Sequence, residues 1–135
     1  MTKQDINSRQ DVSLLVHSFY ERVREDELIG PVFNHIIHDW DTHLELLTDF
    51  WESNLLFQPK YKGNPHQVHQ EVDQQMQGTI SMEHFGRWLQ LWFQTIDTLF
   101  KGKNAEAAKR RARNMSTYMF MKIYERRHNE KGQQE

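Results

Sequence analysis

Apolar residues recur along this chain at helical spacing. Val12, Leu15, Val16, Phe19 and Val23 share one face of a helix that starts near Asp11, and Tyr20 borders that stripe. Gly30-Pro31 stops it, and Val32 and Phe33 read as a connecting region. A second helix is predicted from about Trp40 to Leu56. Trp40, Leu44, Leu47, Trp51 and Leu55 form one apolar line along it, with Phe50 beside the line and His43 on its flank. Gln58-Pro59 ends this helix. The stretch Tyr61 to His69 then reads as a glycine-bearing loop closed by a helical turn that Pro65 starts, because the N–H that proline lacks is an orphan at that position anyway.

After Gly78, Ser81 is the expected N-cap of a third long helix, with Glu83 and His84 in its first turn. Phe85, Trp88, Leu89, Trp92, Phe93, Ile96, Leu99 and Phe100 make that helix apolar around much of its girth, which predicts a central position. Gly102 ends it. A last helix is predicted from about Asn104 to Arg127, burying Ala108, Ala112, Met115, Met119 and Ile123, with a frayed end from Gly132 to Glu135. No segment sustains strand alternation. The fold class is all-α.

Composition narrows the picture. The 135 residues suit a single domain, 1–135, with a core of about 12–127 and a polar C-terminal tail. No apolar run approaches the roughly 18 residues of a membrane helix, and the polar start lacks the apolar core of a signal peptide. The chain has no cysteine, which removes disulfides, thiolate metal sites and a catalytic thiol. These features fit a cytoplasmic protein with no membrane partner. Charge is uneven: residues 1–100 carry 7 Lys/Arg and 15 Asp/Glu, net −8, while residues 101–135 carry 10 and 4, net +6. Lys109, Arg110, Arg111 and Arg113 have no interleaved aromatics, so they read as a solvated helix face rather than a nucleic-acid surface.

Eight histidines raise the question of a metal. The His-Glu-x-x-His pattern of hydrolytic zinc sites is absent. The Glu-x-x-His spacing of di-iron bundles occurs only at Glu125 to His128, in the tail. A surface patch of His35, His38, His66 and His69 for a divalent metal stays open. So does haem, whose iron takes one axial donor, commonly a neutral histidine nitrogen, and whose macrocycle needs apolar walls. His69 follows the Pro65 helix start by one turn and projects from a short element, and His66 is its rival as ligand. On spacing alone a lone histidine is more often hydrogen-bonded or solvent-facing, and Tyr20 and His43 can equally border a core.

Several runs resemble the truncated haemoglobins, and among these the third group. They begin with Phe19-Tyr20-x-x-Val23, Ile29-Gly30-Pro31-Val32-Phe33, Trp40-x-x-His43 and Phe50-Trp51. They continue through Tyr61-x-Gly63-Asn64-Pro65-x-x-x-His69, His84-Phe85-x-Arg87-Trp88-Leu89, Thr95-x-Asp97 and Phe100-x-Gly102 to the alanine and arginine pattern of Ala107 to Arg113. The resemblance spans roughly residues 12–123. Doubly glycined turns, typical of the other truncated groups, are missing.

The resemblance implies a globin-like, truncated two-over-two helical sandwich holding one b-type haem (iron protoporphyrin IX) without covalent attachment. It implies His69 as the proximal iron ligand and Tyr20, His43 and Trp88 as polar residues on the distal side. Phe33, Leu44 and Leu47 would help wall that side. The function it implies is reversible binding of dioxygen, nitric oxide and carbon monoxide at iron, linked to oxidative or nitrosative stress chemistry. One alternative keeps the fold as a haem-based peroxidase or nitric oxide dioxygenase served by a separate reductase, since the chain carries no flavin or nicotinamide motif. The other is a cofactor-free helical interaction module.

Overall fold

The computed structural model describes residues 2–56 and 81–133, with side chains through Glu125. Its helices are α1 (Arg9–Glu25), α2 (Gly30–Ile36), α3 (Trp40–Leu56), α4 (Met82–Leu99) and α5 (Lys103–Gln133). Among the described residues there is no strand, and no helix is long and apolar enough to cross a membrane. α1 packs on α3 and α4 packs on α5. The two pairs meet through α1 against α4 and α3 against α5, which makes a two-over-two sandwich.

The stripe on α1 is buried as its spacing predicts: Val12, Leu15, Val16, Phe19 and Val23 are fully buried, and Tyr20 is 6% exposed. Ser8 starts the helix, its side chain accepting from the Asp11 backbone N–H at 3.2 Å. At the other end the Asp26 carboxylate accepts from the backbone N–H groups of Leu28 and Ile29, at 3.0 and 3.1 Å. That turn delivers the chain into α2, a seven-residue helix where a connecting region was expected. Pro31 is the reason. Read as a stop for α1 it is also a start, because the first helical turn tolerates proline and Gly30 lies against the end of α1. A Cβ on Gly30 would sit 2.8 Å from the Arg24 carbonyl oxygen, so only glycine permits this approach.

α3 has the expected bounds, but its apolar line is unevenly buried. Trp51 and Leu55 are each 3% exposed, whereas Trp40, Leu44 and Leu47 are half-buried. α4 is central in the way its girth predicts. Trp92 and Ile96 are fully buried, and the Trp92 indole N–H donates to the Ala108 carbonyl on α5 at 3.1 Å. Ser81 caps α4 together with His84, whose Nδ1 accepts from the Ser81 backbone N–H at 3.1 Å. α5 runs past the expected end near Arg127 and through part of the tail expected to fray.

The first residues do more than the sequence suggests. Ile6 is fully buried in the core. The Asp5 carboxylate accepts from the backbone N–H groups of Asn104 and Ala105, each at 2.9 Å, and so caps α5 from the far end of the chain. Burial works against this charge, but these bonds and those from Ile6 and Lys103 outweigh it and hold the carboxyl below its usual range. Gly102 makes room: its φ is +149°, and a Cβ there would collide with the Asp5 side chain.

Candidate functional site

The candidate site forms where α1, α2, α3 and α4 converge. Tyr20 projects from α1 beside the fully buried Phe19, with their rings edge-on at 4.7 Å. Around Tyr20 stand Phe33 of α2 at 5.8 Å, Trp40 of α3 at 5.9 Å and His43 of α3 at 5.6 Å between centroids. Trp88 of α4 closes the cluster from the core side. Its indole is hydrogen-bonded to the Tyr20 hydroxyl, and its ring lies edge-on to Phe19 at 5.5 Å. An indole N–H can only donate, so the Tyr20 oxygen is the acceptor and keeps its own proton for another partner.

Burial sets the electrostatics. It pushes the Tyr20 hydroxyl up to about 12, with the Trp88 hydrogen bond pulling weakly the other way. At neutral pH the site therefore presents a neutral phenol, an indole donor and an imidazole. Phe33 borders Tyr20, and Phe33, Leu44 and Leu47 are half-buried and packed against the core. A cavity of about 430 Å³ lies beside the cluster, lined by Tyr20, Leu44, Arg24 and Asn34 among others.

The structure thus brings Tyr20, His43, Trp88 and Phe33 into one cluster and sets Leu44 on the cavity beside it. Leu47 lies one turn after His43 on the same helix. His69 and its rival His66 lie outside the described residues. Sequence reasoning did not single out Arg24 or a role for Trp40. The Arg24 guanidinium carbon lies 4.5 Å from the Trp40 ring centroid, and Trp40 stands edge-on to His43 at 5.7 Å. The Trp40-x-x-His43 spacing carried that second contact, since residues three apart share a helix face. The Arg24 contact crosses from α1 to α3, and no local pattern encodes it.

Among the described residues no group of His, Asp and Glu is arranged to hold a metal ion. Three of the basic residues near the start of α5 make specific contacts. Lys109 pairs with Asp97 and Glu106, Arg111 donates to Asn54, and Arg113 lies over the Phe93 ring.

Two helix pairs packed in this way, with an aromatic and polar cluster where they meet, make the two-over-two arrangement of a globin-like fold. No protein-family model matches the chain. The chain is similar to the group 3 truncated hemoglobin ctb of Campylobacter jejuni, 25% identical over 121 residues, which covers 87% of this chain and 91% of that protein. It also superposes on the crystal structure of a group III truncated hemoglobin from Campylobacter jejuni with a TM-score of 0.80 at 25% identity, over 91% of this chain and 96% of that one. In sequence and in fold, the chain is similar to the third group of truncated haemoglobins, and its fold is an all-α globin fold.

Proposed function

We propose that this globin holds one b-type haem through His69 and reversibly binds dioxygen, nitric oxide and carbon monoxide over the face that Tyr20, His43 and Trp88 line. The observation that carries the reading is the convergence of these three polar side chains, from three helices, inside apolar surroundings. The residues present suit the group. Phe33, Leu44 and Leu47 offer half-buried apolar surface where a flat macrocycle needs walls, and the buried positions of α3 begin only at Thr48. When bound, the haem supplies an iron with one coordination position open to a diatomic molecule.

The chain's own residues then set retention. A diatomic ligand that has gained partial negative charge is stabilised by donors aimed at it, and preorganised donors cost no rearrangement. Tyr20 offers its free hydroxyl proton, held in place because its oxygen already accepts from Trp88. His43 stands edge-on to Tyr20 and offers a ring nitrogen whose tautomer adjusts to the ligand. Each such bond to a charged partner is worth roughly 1.5–3 kcal/mol. Three polar groups exceed what simple carriage needs, and that surplus favours a second reading, peroxidase or nitric oxide dioxygenase turnover fed by a separate reductase.

One absorbance spectrum of the purified protein, with and without carbon monoxide, tests the cofactor. A Soret band that shifts with carbon monoxide is expected, whereas a colourless protein unchanged by added hemin would make the chain an interaction module. His69→Ala is expected to abolish or severely weaken that band. If His69→Ala keeps a five-coordinate histidine spectrum and His66→Ala loses it, the iron ligand is His66. Steady turnover of peroxide or nitric oxide with an added reductant separates catalysis from carriage.

A further inference from the structure

The cluster has a back wall that the ligand chemistry does not use. Trp40, at the first position of α3, touches both polar residues: it is tilted against Tyr20 at 5.9 Å and edge-on to His43 at 5.7 Å. Arg24, on the last turn of α1, lies over the Trp40 ring, 4.5 Å from the guanidinium carbon to the centroid. A guanidinium over an indole is a favourable cation–π contact. Arg24 is itself held at the backbone, because the Asn34 side-chain amide of α2 donates to its carbonyl at 3.1 Å and Gly30 admits the close approach. The cavity lined by Tyr20, Leu44, Arg24 and Asn34 lies alongside, so this corner is not filled by packing.

We infer that Arg24 and Trp40 form a latch that fixes where Tyr20 and His43 stand, with both latch residues acting as positioning residues for the ligand site. The inference rests on the proposed diatomic-binding role of that site. The physical ground is asymmetry of support. Tyr20 is held on its core side by Phe19 and the Trp88 hydrogen bond, whereas the Trp40 indole borders both Tyr20 and His43. Trp40 is half-buried, and the Arg24 cation over its ring adds to the contacts that hold it. Without Arg24 the indole loses the contact over its face, and its edges against Tyr20 and His43 are held less firmly. A residue that acts in this way changes how uniformly the polar groups meet a ligand, without touching the ligand.

The test compares Arg24→Gln and Trp40→Leu with the conservative Arg24→Lys and Trp40→Phe in the full chain. In the carbonmonoxy form the wild-type protein is expected to show one dominant C–O stretching band. Arg24→Gln and Trp40→Leu should add a second band and release carbon monoxide several-fold faster, while the thermal midpoint and Soret intensity stay close to wild type. Arg24→Lys and Trp40→Phe should restore the single band, which a merely destabilised fold would not do. The second readout does not depend on haem: the His43 ring proton resonance of the purified chain should move in Arg24→Gln and Trp40→Leu while that of His84 stays in place. An unmoved His43 resonance overturns the latch. A moved resonance in a protein that takes up no haem supports the latch and overturns the proposed ligand instead, so the two failures are distinguishable.

Discussion

Phe19 and Tyr20 are consecutive residues of α1, yet they enter two regions built on opposite rules. Phe19 is fully buried against Trp92, 4.8 Å away and edge-on, and Trp92 in turn stacks on Trp51 at 4.7 Å. Every ring there is held by helices from several sides, and the Trp92 N–H is spent on a backbone carbonyl. Tyr20, turned about 100° around the helix, faces polar tips, half-buried apolar groups and a cavity. The first region is aromatic and aliphatic packing. The second keeps donors in reserve and packs less completely. One helix can serve both because consecutive residues point to different faces, so stability and chemistry need not share side chains.

The strongest way to break this comparison is to remove the centre of the apolar region. Trp92→Ala should destabilise the fold by about 3–5 kcal/mol, the usual cost of emptying a large aromatic site. Urea unfolding measures it. The cost should exceed that of any single truncation around Tyr20. A loss below about 1 kcal/mol would show that stability is not concentrated at the Trp51–Trp92 contact.

A smaller effect separates the regions by titration. The Tyr20 hydroxyl, ordinarily near 10, is pushed up to about 12 by burial, with the Trp88 hydrogen bond opposing. Below about pH 10 the phenol is neutral in both folded and unfolded chains and has no effect on the pH dependence. Above it the unfolded chain releases the proton and the folded chain holds it, so stability falls as pH rises from about 10 to 12. The limit of the fall is about 2.7 kcal/mol, two units at 1.36 each. Tyr20→Phe should remove this component. Parallel alkaline unfolding curves for the two proteins would show instead that Tyr20 reaches water.

The apolar region is legible in the sequence because its information is periodic. Val12 to Val23 and Phe85 to Phe100 carry the 3.6-residue pattern, and the observed burial of Phe19, Trp92 and Ile96 follows it. The polar region was legible only as a resemblance. Tyr20, His43 and Trp88 are each ambiguous by spacing, and it took a chain-long order of motifs to propose that they share a site. Three features escaped both routes. The α2 helix was hidden because Gly30-Pro31 is equally a terminator and a starter. The Asp5 cap on α5 and the Arg24–Trp40 contact were hidden because they join residues far apart in sequence. Periodicity reports which face is buried, and it does not report which distant backbone amide or ring a lone charge will find. The proximal side of the proposed haem site, with His69, lies outside the described residues.

The smallest expected change in stability is the sharpest test of the comparison. At pH 7, Tyr20→Phe removes one hydroxyl whose oxygen accepts from Trp88 and leaves the ring contacts with Phe33, Trp40 and His43 in place. A typical internal hydrogen bond is worth about 1 kcal/mol net, so the unfolding free energy should move by no more than that. The same substitution deletes a donor proposed for the bound ligand, where the partner carries charge and the bond is worth roughly 1.5–3 kcal/mol. Dioxygen should then leave about ten- to a hundred-fold faster, since 1.4 kcal/mol corresponds to about tenfold. Stopped-flow release and equilibrium unfolding on one preparation measure both. An unchanged off-rate would take Tyr20 out of the ligand site. A large stability loss with an unchanged off-rate would make the two regions one, since Tyr20 would then be core like Phe19. A fast off-rate on an intact fold is the result expected if α1 carries stability on one face and chemistry on the next.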